Sequence, residues 1–490
     1  MLGIFIGRDK SEQDKHNFYD KITNMKRRFN IWSGRNLTLL GKILISKTFG
    51  ISNFIYSLTM LEADKNICEL AQKELSKFIW GYKPPKVKHS TLIGNIEKGG
   101  LKAVDVDIMS KALMINWISR LWETKHWNSI INEGIDKYGG IRFLLRCNYD
   151  YTQIKIPNFY RNVLRYADNV LKRNTSHCII WNNKDIKIGG FQIFYKEWIT
   201  KDIIYIQDLC NINGEFLSYE EFKNQFSLNE CFLRYIGIIK CLKLLIRTNK
   251  RYKDVCKTTK PTINFNSPVF KLIDDSIIDI KKAKARIYYN ALVEKKFEEP
   301  IALPKWSREM NITIPDITKT FIFAKLSTND SKLLTFNYKL INRLINNRAN
   351  LFRWNIVTDP NCTLCEGGQI DNTYHAIMQC KWTFDKIKII LENLDPSRAW
   401  AKFIDHKKWV FGTCDPAINL IILIMKSHIC QVRSGNKEFS ITALKKEIFL
   451  HILAEKTYLP AVRFNRKWLN FIPLVDESVQ FGSKNEIYNK

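Results

Sequence analysis

Pro360-Asn361-Cys362-Thr363-Leu364-Cys365 and Tyr374-His375-Ala376-Ile377-Met378-Gln379-Cys380 are the two stretches of this 490-residue chain that say most about its fold. They space four candidate metal ligands in the pattern C-x2-C-x9-H-x4-C: Cys362, Cys365, His375 and Cys380. Zinc prefers four tetrahedral nitrogen and sulfur ligands, and a Cys-x2-Cys pair offers two thiolates to one ion. Because the four residues fill every position and leave none for water, the spacing predicts a structural rather than a catalytic Zn²⁺ site.

The residues between the two ligand pairs support this interpretation. Gly367-Gly368 lets the chain reverse, so that a following turn or helix returns the second pair toward the first. His375 and Cys380 are five positions apart, which allows one to lie in the first turn of that helix and the other at its end. The alternative is four unrelated residues in a chain with 12 Cys and 8 His; the compact spacing and the glycine turn favour a metal site.

The length and composition indicate several folded domains. At 490 residues the chain is too long for one ordinary core, and about two to four domains are expected. A hydrophobic content of 45%, of which a large part is aromatic, is ample for buried cores and excludes wholesale disorder. The predicted fold class is mainly α: a multi-domain helical protein with a small Cys-Cys-His-Cys zinc knuckle at 362–380, near its C-terminus.

The other nine cysteines are scattered without paired spacing, which indicates buried free thiols in a reducing compartment. The chain shows no secretory leader pattern and no apolar run of about 18 residues. The longest candidate, Ile418 to Met425, is interrupted by Lys426 and His428. We therefore expect an intracellular protein with no membrane partner, in either the nucleus or the cytoplasm.

The net charge of +29 is the second bulk signal, because so large a surplus attracts polyanions. The densest basic run, Lys240 to Lys260, holds eight Lys or Arg residues against Asp254 alone. It is a candidate for phosphate contact through Lys250, Arg251 and Lys253; a solvated linker is the equally weighted alternative. Lys, Ile and Asn are all encoded by A/T-rich codons, so codon bias is a second source of the lysine excess.

Hydrophobic periodicity and breaker residues divide the chain into three segments. The predicted divisions are a helical domain over 1–125, a helical middle region over 126–316 and a C-terminal domain over 317–490. Apolar residues at helical spacing or between caps predict helices over the following ranges: Phe18–Trp32, Leu39–Leu61, Ile67–Trp80, Val106–Trp122, Tyr160–Lys172, Phe191–Trp198, Glu220–Phe226, Cys231–Arg247, Leu333–Ile345, Ala417–Val432 and Ser440–Tyr458. A short strand is predicted over Leu2–Gly7.

Several ordered sequence features resemble LINE-type (non-LTR) retrotransposon reverse transcriptases, from the region just past the catalytic palm onward. The features are Leu2-Gly3-Ile4, Trp32, Leu40-Gly41-Lys42-Ile43, Phe78-Ile79-Trp80, Gly99-Gly100-Leu101, Lys111-Ala112-Leu113 with Trp117, Phe194 to Trp198, and Phe216 to Phe222. The Cys-Cys-His-Cys element also resembles one that these proteins carry near their C-terminus. The resemblance spans nearly the whole chain, and its specificity lies in the ordered set.

The resemblance implies a thumb-like helical domain and a C-terminal segment that both contact nucleic acid. Residues 1–8 would then be a remnant of the edge strand of the palm. The expected function is non-catalytic binding of RNA or of an RNA/DNA hybrid, with no small-molecule substrate. The residues of the thumb-like helices expected to contact backbone phosphate are Lys26, Arg27, Arg28, Arg35 and Lys42.

Polymerase activity is not expected from this chain. In the family, a Phe/Tyr-Ala-Asp-Asp motif upstream of the Leu-Gly strand holds two metal ions. Here only Tyr166-Ala167-Asp168-Asn169 is similar; it lacks the second carboxylate, lies downstream of that strand and has helical spacing. Phosphate-loop, dinucleotide-binding, zinc-protease and serine-hydrolase motifs are absent from the sequence. Asp274-Asp275 is interpreted as an acidic pair at a helix start.

Two alternatives stay open at this stage. The first is a zinc-stabilised helical protein-interaction module without a nucleic-acid role, whose lysines reflect codon bias. The second is the C-terminal part of a complete reverse transcriptase whose gene model is truncated, since Met1 falls within the expected palm strand.

Overall fold

The computed structural model describes residues 3–123, 129–173, 176–228, 231–395 and 404–488. The chain is mainly helical, with 63% helix and 4% strand, so the predicted fold class is confirmed. The first fourteen α-helices are α1 (Lys10–Asp14), α2 (Asp20–Ser33), α3 (Leu39–Ile45), α4 (Ser52–Met60), α5 (Lys65–Trp80), α6 (His89–Leu92), α7 (Val106–Ile115), α8 (Trp117–Trp122), α9 (Ser129–Asp136), α10 (Gly140–Leu144), α11 (Asn158–Asp168), α12 (Lys196–Ile199), α13 (Tyr219–Phe226) and α14 (Phe232–Thr248). The C-terminal helices are α15 (Ala285–Lys296), α16 (Ala302–Met310), α17 (Ile314–Ser327), α18 (Ser331–Ile341), α19 (Arg348–Arg353), α20 (Lys381–Leu394), α21 (His406–Phe411), α22 (Pro416–Arg433), α23 (Ile441–Tyr458), α24 (Ala461–Trp468) and α25 (Ile472–Tyr488).

Two kinds of tighter or wider helical turn interrupt the α-helices. Turns of π-helix cover Lys15–Tyr19, Ser46–Ile51 and His375–Gln379. Turns of 3₁₀-helix cover Ile96–Lys98, Tyr151–Gln153, Ser176–Cys178, Ile206–Leu209, Lys250–Tyr252, Val255–Lys257 and Leu469–Phe471.

The strands are short and form two antiparallel sheets. They are β1 (Leu171–Lys172), β2 (Lys187–Ile188), β3 (Phe191–Gln192), β4 (Val269–Leu272) and β5 (Ile277–Asp279). One sheet has the order β1-β4-β5, with Leu171 opposite Leu272 and Phe270 opposite Ile278. The other pairs β2 with β3 across the Gly189-Gly190 turn.

The described chain packs into two units, each assembled from separate segments. The first unit contains Met1–Asn24, Ser52–Gln72 and Asp105–Lys296; the second contains Met25–Ile51, Lys73–Val104 and Phe297–Lys490. Each unit therefore combines segments that are far apart in the sequence. The division into domains over 1–125, 126–316 and 317–490 stays a prediction.

The first unit has two hydrophobic cores, each built around fully buried aromatic rings. One core contains Trp122, Tyr149 and Tyr288, and the β1-β4-β5 sheet contributes Phe270 and Leu272 to it. The other core is formed by residues 143–255 and contains Trp181, Trp198, Phe222, Tyr235 and Tyr252.

The main described core of the second unit is centred on α22. Nearly every residue of this helix from Ala417 to Ile429 is buried, and α17, α18, α20, α23 and α24 pack around it. A helix that is apolar on all faces must be enclosed on all faces, which makes α22 the axis of this unit. Its last residue, Arg433, lies beside the candidate metal ligands.

Most predicted helices form, with changed ends. The continuous helix predicted over Leu39–Leu61 is divided by the π turn into α3 and α4. Within that turn, a Cβ on Gly50 would lie only 2.8 Å from the ring of Phe29, so the glycine allows a close approach. The predicted Leu333–Ile345 helix ends earlier, at Ile341.

Three local predictions are wrong. No strand forms over the described part of Leu2–Gly7; instead the Asn17 side chain exchanges hydrogen bonds with the backbone N–H and C=O of Phe5, so this segment needs no neighbouring strand. The predicted Phe191–Trp198 helix is β3 followed by the short α12, because the glycine turn at 189–190 favours a hairpin. Asp274-Asp275 lies in the β4–β5 turn rather than at a helix start, and Asp275 adopts a φ of +65°.

The length and hydropathy of a helix decide whether it can span a membrane. Within the described residues, no helix combines sufficient length with sufficient hydropathy to cross a bilayer.

Candidate metal centre

The first two candidate ligands lie in a short hairpin-like loop that its own backbone holds together. The Cys362 N–H donates to the Gln369 carbonyl (2.8 Å), and the Asp371 N–H donates to the Pro360 carbonyl (2.9 Å). Between these bonds the chain reverses through Gly368, whose φ of +55° is a conformation that glycine adopts without strain. The chain therefore reverses after Cys362 and Cys365, as predicted from Gly367-Gly368.

The second two ligands are brought together by a π turn. The His375 N–H is capped by the Asn372 side chain (2.9 Å), and the Cys380 N–H donates to the His375 carbonyl (2.9 Å), which is an i→i−5 bond. In an α-helix, residues five apart would point about 140° away from each other. The wider turn returns Cys380 to the side of the helix that carries His375, and such turns are frequent at functional sites.

Together the four residues form a cluster that could hold a metal ion. Their ligand atoms all lie within 4.8 Å of one another. The Sγ atoms of Cys362 and Cys380 are 3.9 Å apart, and the Sγ of Cys365 is 3.5 Å from Nε2 of His375. Cys362, His375 and Cys380 are buried, whereas Cys365 is partly exposed. This geometry is compatible with the predicted zinc knuckle.

The orientation of the histidine ring suits a ligand role. Nδ1 of His375 lies 3.0 Å from Oε1 of Gln369, and this oxygen can only accept a hydrogen bond. Nδ1 therefore carries the proton, which leaves the lone pair of Nε2 facing the cysteine sulfurs. Burial lowers the pKa of His375 and so favours the neutral ring that a metal requires.

Arg433 is a site residue that sequence reasoning missed. Its guanidinium donates to the Sγ of Cys380 at 3.0 Å, approaches the Sγ of Cys362 at 3.6 Å and pairs with the Asp371 carboxylate at 2.6 Å. A fourth bond joins it to Oγ1 of Thr383 at 2.9 Å. Both members of the Arg433–Asp371 pair are almost fully buried, at 5% and 7% exposure.

The electrostatics of this pair favour a thiolate at Cys380. Burial acts to raise the pKa of Cys380, but hydrogen bonds from Arg433 and from the Thr383 backbone lower it, and the net direction is downward. Burial acts to lower the pKa of Arg433, but Asp371 and the Cys380 sulfur raise it, so the guanidinium stays charged. Three thiolates and one neutral histidine around a divalent ion would leave one excess negative charge; the Arg433 guanidinium would stabilise it by donating to the Cys380 sulfur, although Asp371 balances the formal charge of Arg433.

The predicted phosphate-contacting residues are exposed, except for Lys42, and they belong to two units. Lys26, Arg27 and Arg28 lie on α2 in the second unit, and Arg35 places its guanidinium 4.6 Å above the Trp32 ring. Lys42 on α3 is half-buried and lines a pocket of the same unit.

Lys250, Arg251 and Lys253 lie in the first unit. They surround the fully buried Tyr252 in a 3₁₀ turn, so the described part of the basic run is folded onto a core rather than extended as a linker. Their contact with nucleic acid stays a prediction.

The Tyr166-Ala167-Asp168-Asn169 sequence is helical, as predicted. Tyr166 to Asp168 form the last turn of α11, and Asp168 pairs with Arg173. A palm hairpin is therefore excluded at this position. When the chain was compared with known protein families, no family model matched it.

Proposed function

We propose that this chain binds RNA or an RNA/DNA hybrid without catalysing a reaction on it, as the nucleic-acid-binding part of a LINE-type reverse transcriptase. The observation that carries the proposal is the basic face of α2. Lys26, Arg27 and Arg28 are all exposed there, next to a helix face that is anchored in protein.

The buried face of α2 holds the helix in place, so the exposed basic side chains project from a rigid element. Met25 and Phe29 of the same helix are buried, and the Phe29 ring stacks on Phe78 with 4.3 Å between the centroids. Basic side chains on a rigid helix can contact successive phosphates without the entropy cost of ordering a loop. The overall charge of +29 adds long-range attraction for the same partner.

The proposal assigns one Zn²⁺ to the Cys362, Cys365, His375 and Cys380 cluster, in a structural role. All four positions of a tetrahedral ion would be occupied by protein, so no site is left for water or substrate. The free energy of zinc binding would contribute directly to the stability of this region.

Salt-dependent binding tests the nucleic-acid role. We expect fluorescence anisotropy with a labelled single-stranded RNA and with an RNA/DNA hybrid to show an affinity that falls steeply as salt rises, by about 0.7 log units per log unit of salt for each phosphate contacted on a single strand. Replacing Lys26, Arg27 and Arg28 with Gln should reduce that slope by about 2.

The matched control removes three charges elsewhere on the second unit. Lys325, Lys388 and Lys456 are exposed on α17, α20 and α23, and their replacement with Gln should leave the slope nearly unchanged. An affinity of the unmodified chain that does not change with salt would contradict the proposal and favour the protein-interaction alternative.

A further inference from the structure

The second unit contains a pocket of about 530 Å³ that four distant chain segments build together. The segments are 37–42, 79–86, 332–346 and 427–436. Its volume is within the range of roughly 300–1,000 Å³ that is usual for ligand sites. It is too large for a lone phosphate and sufficient for a nucleotide unit.

The charge of this pocket is entirely positive. Five lysines line it, namely Lys42, Lys83, Lys86, Lys332 and Lys339, and its lining includes neither Asp nor Glu. Within the described part of the chain, none of these five ammonium groups has a carboxylate partner. The pocket therefore presents five cationic donors without an internal anion.

Carboxylates are present elsewhere in the second unit, where they form ion pairs with other lysines. Lys88 pairs with Glu298 at 2.7 Å, Lys319 with Asp316 at 2.8 Å, and the mostly buried Lys467 with Glu455 at 2.6 Å. These three lysines outside the pocket have acidic partners, whereas within the described residues no carboxylate pairs with the five that line it; the ammonium group of Lys86 lies 3.3 Å from the centroid of the Trp354 ring.

Two of the pocket lysines have a pKa that is lowered by burial and by neighbouring ammonium groups. Burial lowers the pKa of Lys42, and the nearby Lys339 and Lys83 lower it further; the same causes act on Lys86. Like charges held together in a concave site are destabilising unless an anion enters. A bound phosphate would relieve this repulsion.

A neutral polar group adds a second indication of a ligand. Oγ1 of Thr335 is buried in the wall of the pocket, where Thr335 itself is 93% buried, and it has no hydrogen-bond partner within the described residues. A buried hydroxyl normally finds a partner, because an unpaired one has lost its hydrogen bonds to water without gaining any in return. Ser427, Gln431 and Asn436, at the C-terminal end of α22 and just beyond it, supply further donors to the same pocket.

Two aromatic rings complete the lining. Trp80 and Phe336 are both partly exposed in the pocket, and bases stack on such rings regardless of sequence. Next to Trp80, Gly81 adopts a φ of +63°, and a Cβ there would lie 3.1 Å from Nζ of Lys42. The glycine leaves space for this ammonium group at the wall.

The positive surface continues past the pocket, which favours a polymer over a small molecule. Lys86 also lines an adjacent pocket of about 410 Å³, together with Lys305 and Arg353. The one carboxylate of that second pocket, Glu309, is held by Arg343 at 3.0 Å. A row of cations that extends through two adjoining pockets matches the repeated charge of a nucleic-acid backbone.

We propose that the lysine pocket binds the phosphodiester backbone of a single nucleic-acid strand, with a base against Trp80 and Phe336. This inference rests on the proposed nucleic-acid role and assigns it a specific site. The site is distinct from the basic face of α2.

The test uses the full chain and a single-stranded RNA of about 16 nucleotides, near the upper end of the sites that single-strand-binding folds cover. Lys83, Lys332 and Lys339 are exposed, so we expect their replacement with Gln to preserve the fold. At about 0.15 M salt we expect this triple variant to bind roughly 50-fold more weakly and the salt slope to fall by about 2. The Lys325, Lys388 and Lys456 triple variant should bind like the unmodified chain.

Lysine footprinting gives an independent readout. Bound RNA should protect Lys42, Lys83, Lys86, Lys332 and Lys339 from acetylation and leave Lys325 and Lys456 reactive. Protection by inorganic pyrophosphate alone, equal to that by RNA, would assign the pocket to a small phosphate ligand and overturn the strand assignment.

The outcomes separate the two proposals. If the unmodified chain binds RNA but the pocket triple variant binds as tightly as the control variant, the pocket assignment is wrong and the nucleic-acid role stands. If the unmodified chain binds neither the RNA nor the RNA/DNA hybrid, both proposals are wrong.

Discussion

Arg433 donates a hydrogen bond from Nη1 to the Sγ of Cys380, 3.0 Å away, although 53 positions separate the two residues in the chain. The same guanidinium pairs with the buried carboxylate of Asp371. This side chain connects the apolar helix α22 to the cluster of Cys362, Cys365, His375 and Cys380. A charged residue at the end of the central helix of the unit therefore supports the candidate metal ligands from outside the cluster.

Replacing Arg433 with Gln should weaken both the fold and metal binding. It leaves the Asp371 carboxylate buried without a counter-ion, which costs about 3–5 kcal/mol of unfolding free energy. Loss of an outer-shell contact typically lowers metal affinity by about 10–100-fold. Chelator competition would measure the zinc affinity, and denaturant unfolding would measure the stability. Arg463→Gln, at an exposed position of α24, is the control.

The double variant Arg433→Gln with Asp371→Asn should regain stability, because it no longer buries an unpaired carboxylate. Unchanged zinc affinity in Arg433→Gln would refute the supporting role of Arg433.

Cys365→Ser should abolish the bound metal, because a hydroxyl is a poor substitute for a zinc thiolate. Native mass spectrometry should show one Zn²⁺ in the unmodified chain and none in the variant. Hydrogen exchange should then increase over residues 351–382, since the loop loses its cross-link. Cys414→Ser, at an exposed cysteine outside the cluster, should retain the metal. Equal zinc content in the two variants would show that the four-ligand assignment is wrong.

Lys426→Met should change how stability depends on pH. Lys426 is fully buried in α22, donates to the Val410 carbonyl at 2.9 Å, and burial lowers its pKa to about 7. In the unfolded chain the pKa is about 10.4. Between these values the unfolded state binds the extra proton, so the unmodified protein gains stability as pH rises from 7 toward 10.

Methionine removes this titration. The stability of the variant relative to the unmodified chain should therefore be greatest below pH 7 and shrink toward pH 10, as measured by denaturant midpoints. Lys456→Met, at an exposed position of α23, should show no such trend. A difference that stays constant with pH would mean that folding does not lower the pKa of Lys426.

Gly100→Ala should destabilise the second unit. A Cβ at this position would lie 2.1 Å from the backbone oxygen of Gly94, and that oxygen already accepts from the Lys102 N–H. The backbone must shift to relieve the overlap, with an expected cost of about 1–3 kcal/mol or more. Gly34→Ala is the matched control, because nothing lies within 4 Å of its added Cβ. Thermal unfolding should show a lower midpoint for the first variant alone, and equal midpoints would contradict the predicted clash.

The sequence predicted best where the determining interactions are local. Residues such as Phe18, Met25 and Phe29 repeat at helical spacing, and helices form there. The four candidate metal ligands lie within 19 positions of one another, so their spacing alone indicated a common site. The strand predicted over Leu2–Gly7 does not form in the described residues, because the Asn17 side chain takes the place of a neighbouring strand in the hydrogen bonds of Phe5. The helix start predicted at Asp274-Asp275 is instead a turn between two strands.

The amino-acid sequence by itself determined the mainly helical class and the identity of the cysteine and histidine cluster, because periodicity and short spacing act over a few turns of chain. Only the tertiary structure decided that Arg433 supports the cluster and that lysines from separate segments converge on one pocket without a carboxylate. Lys42, Lys83 and Lys339 are brought together by the burial of apolar helix faces around α22. Contacts that arise from such packing join residues hundreds of positions apart, and no local pattern encodes them.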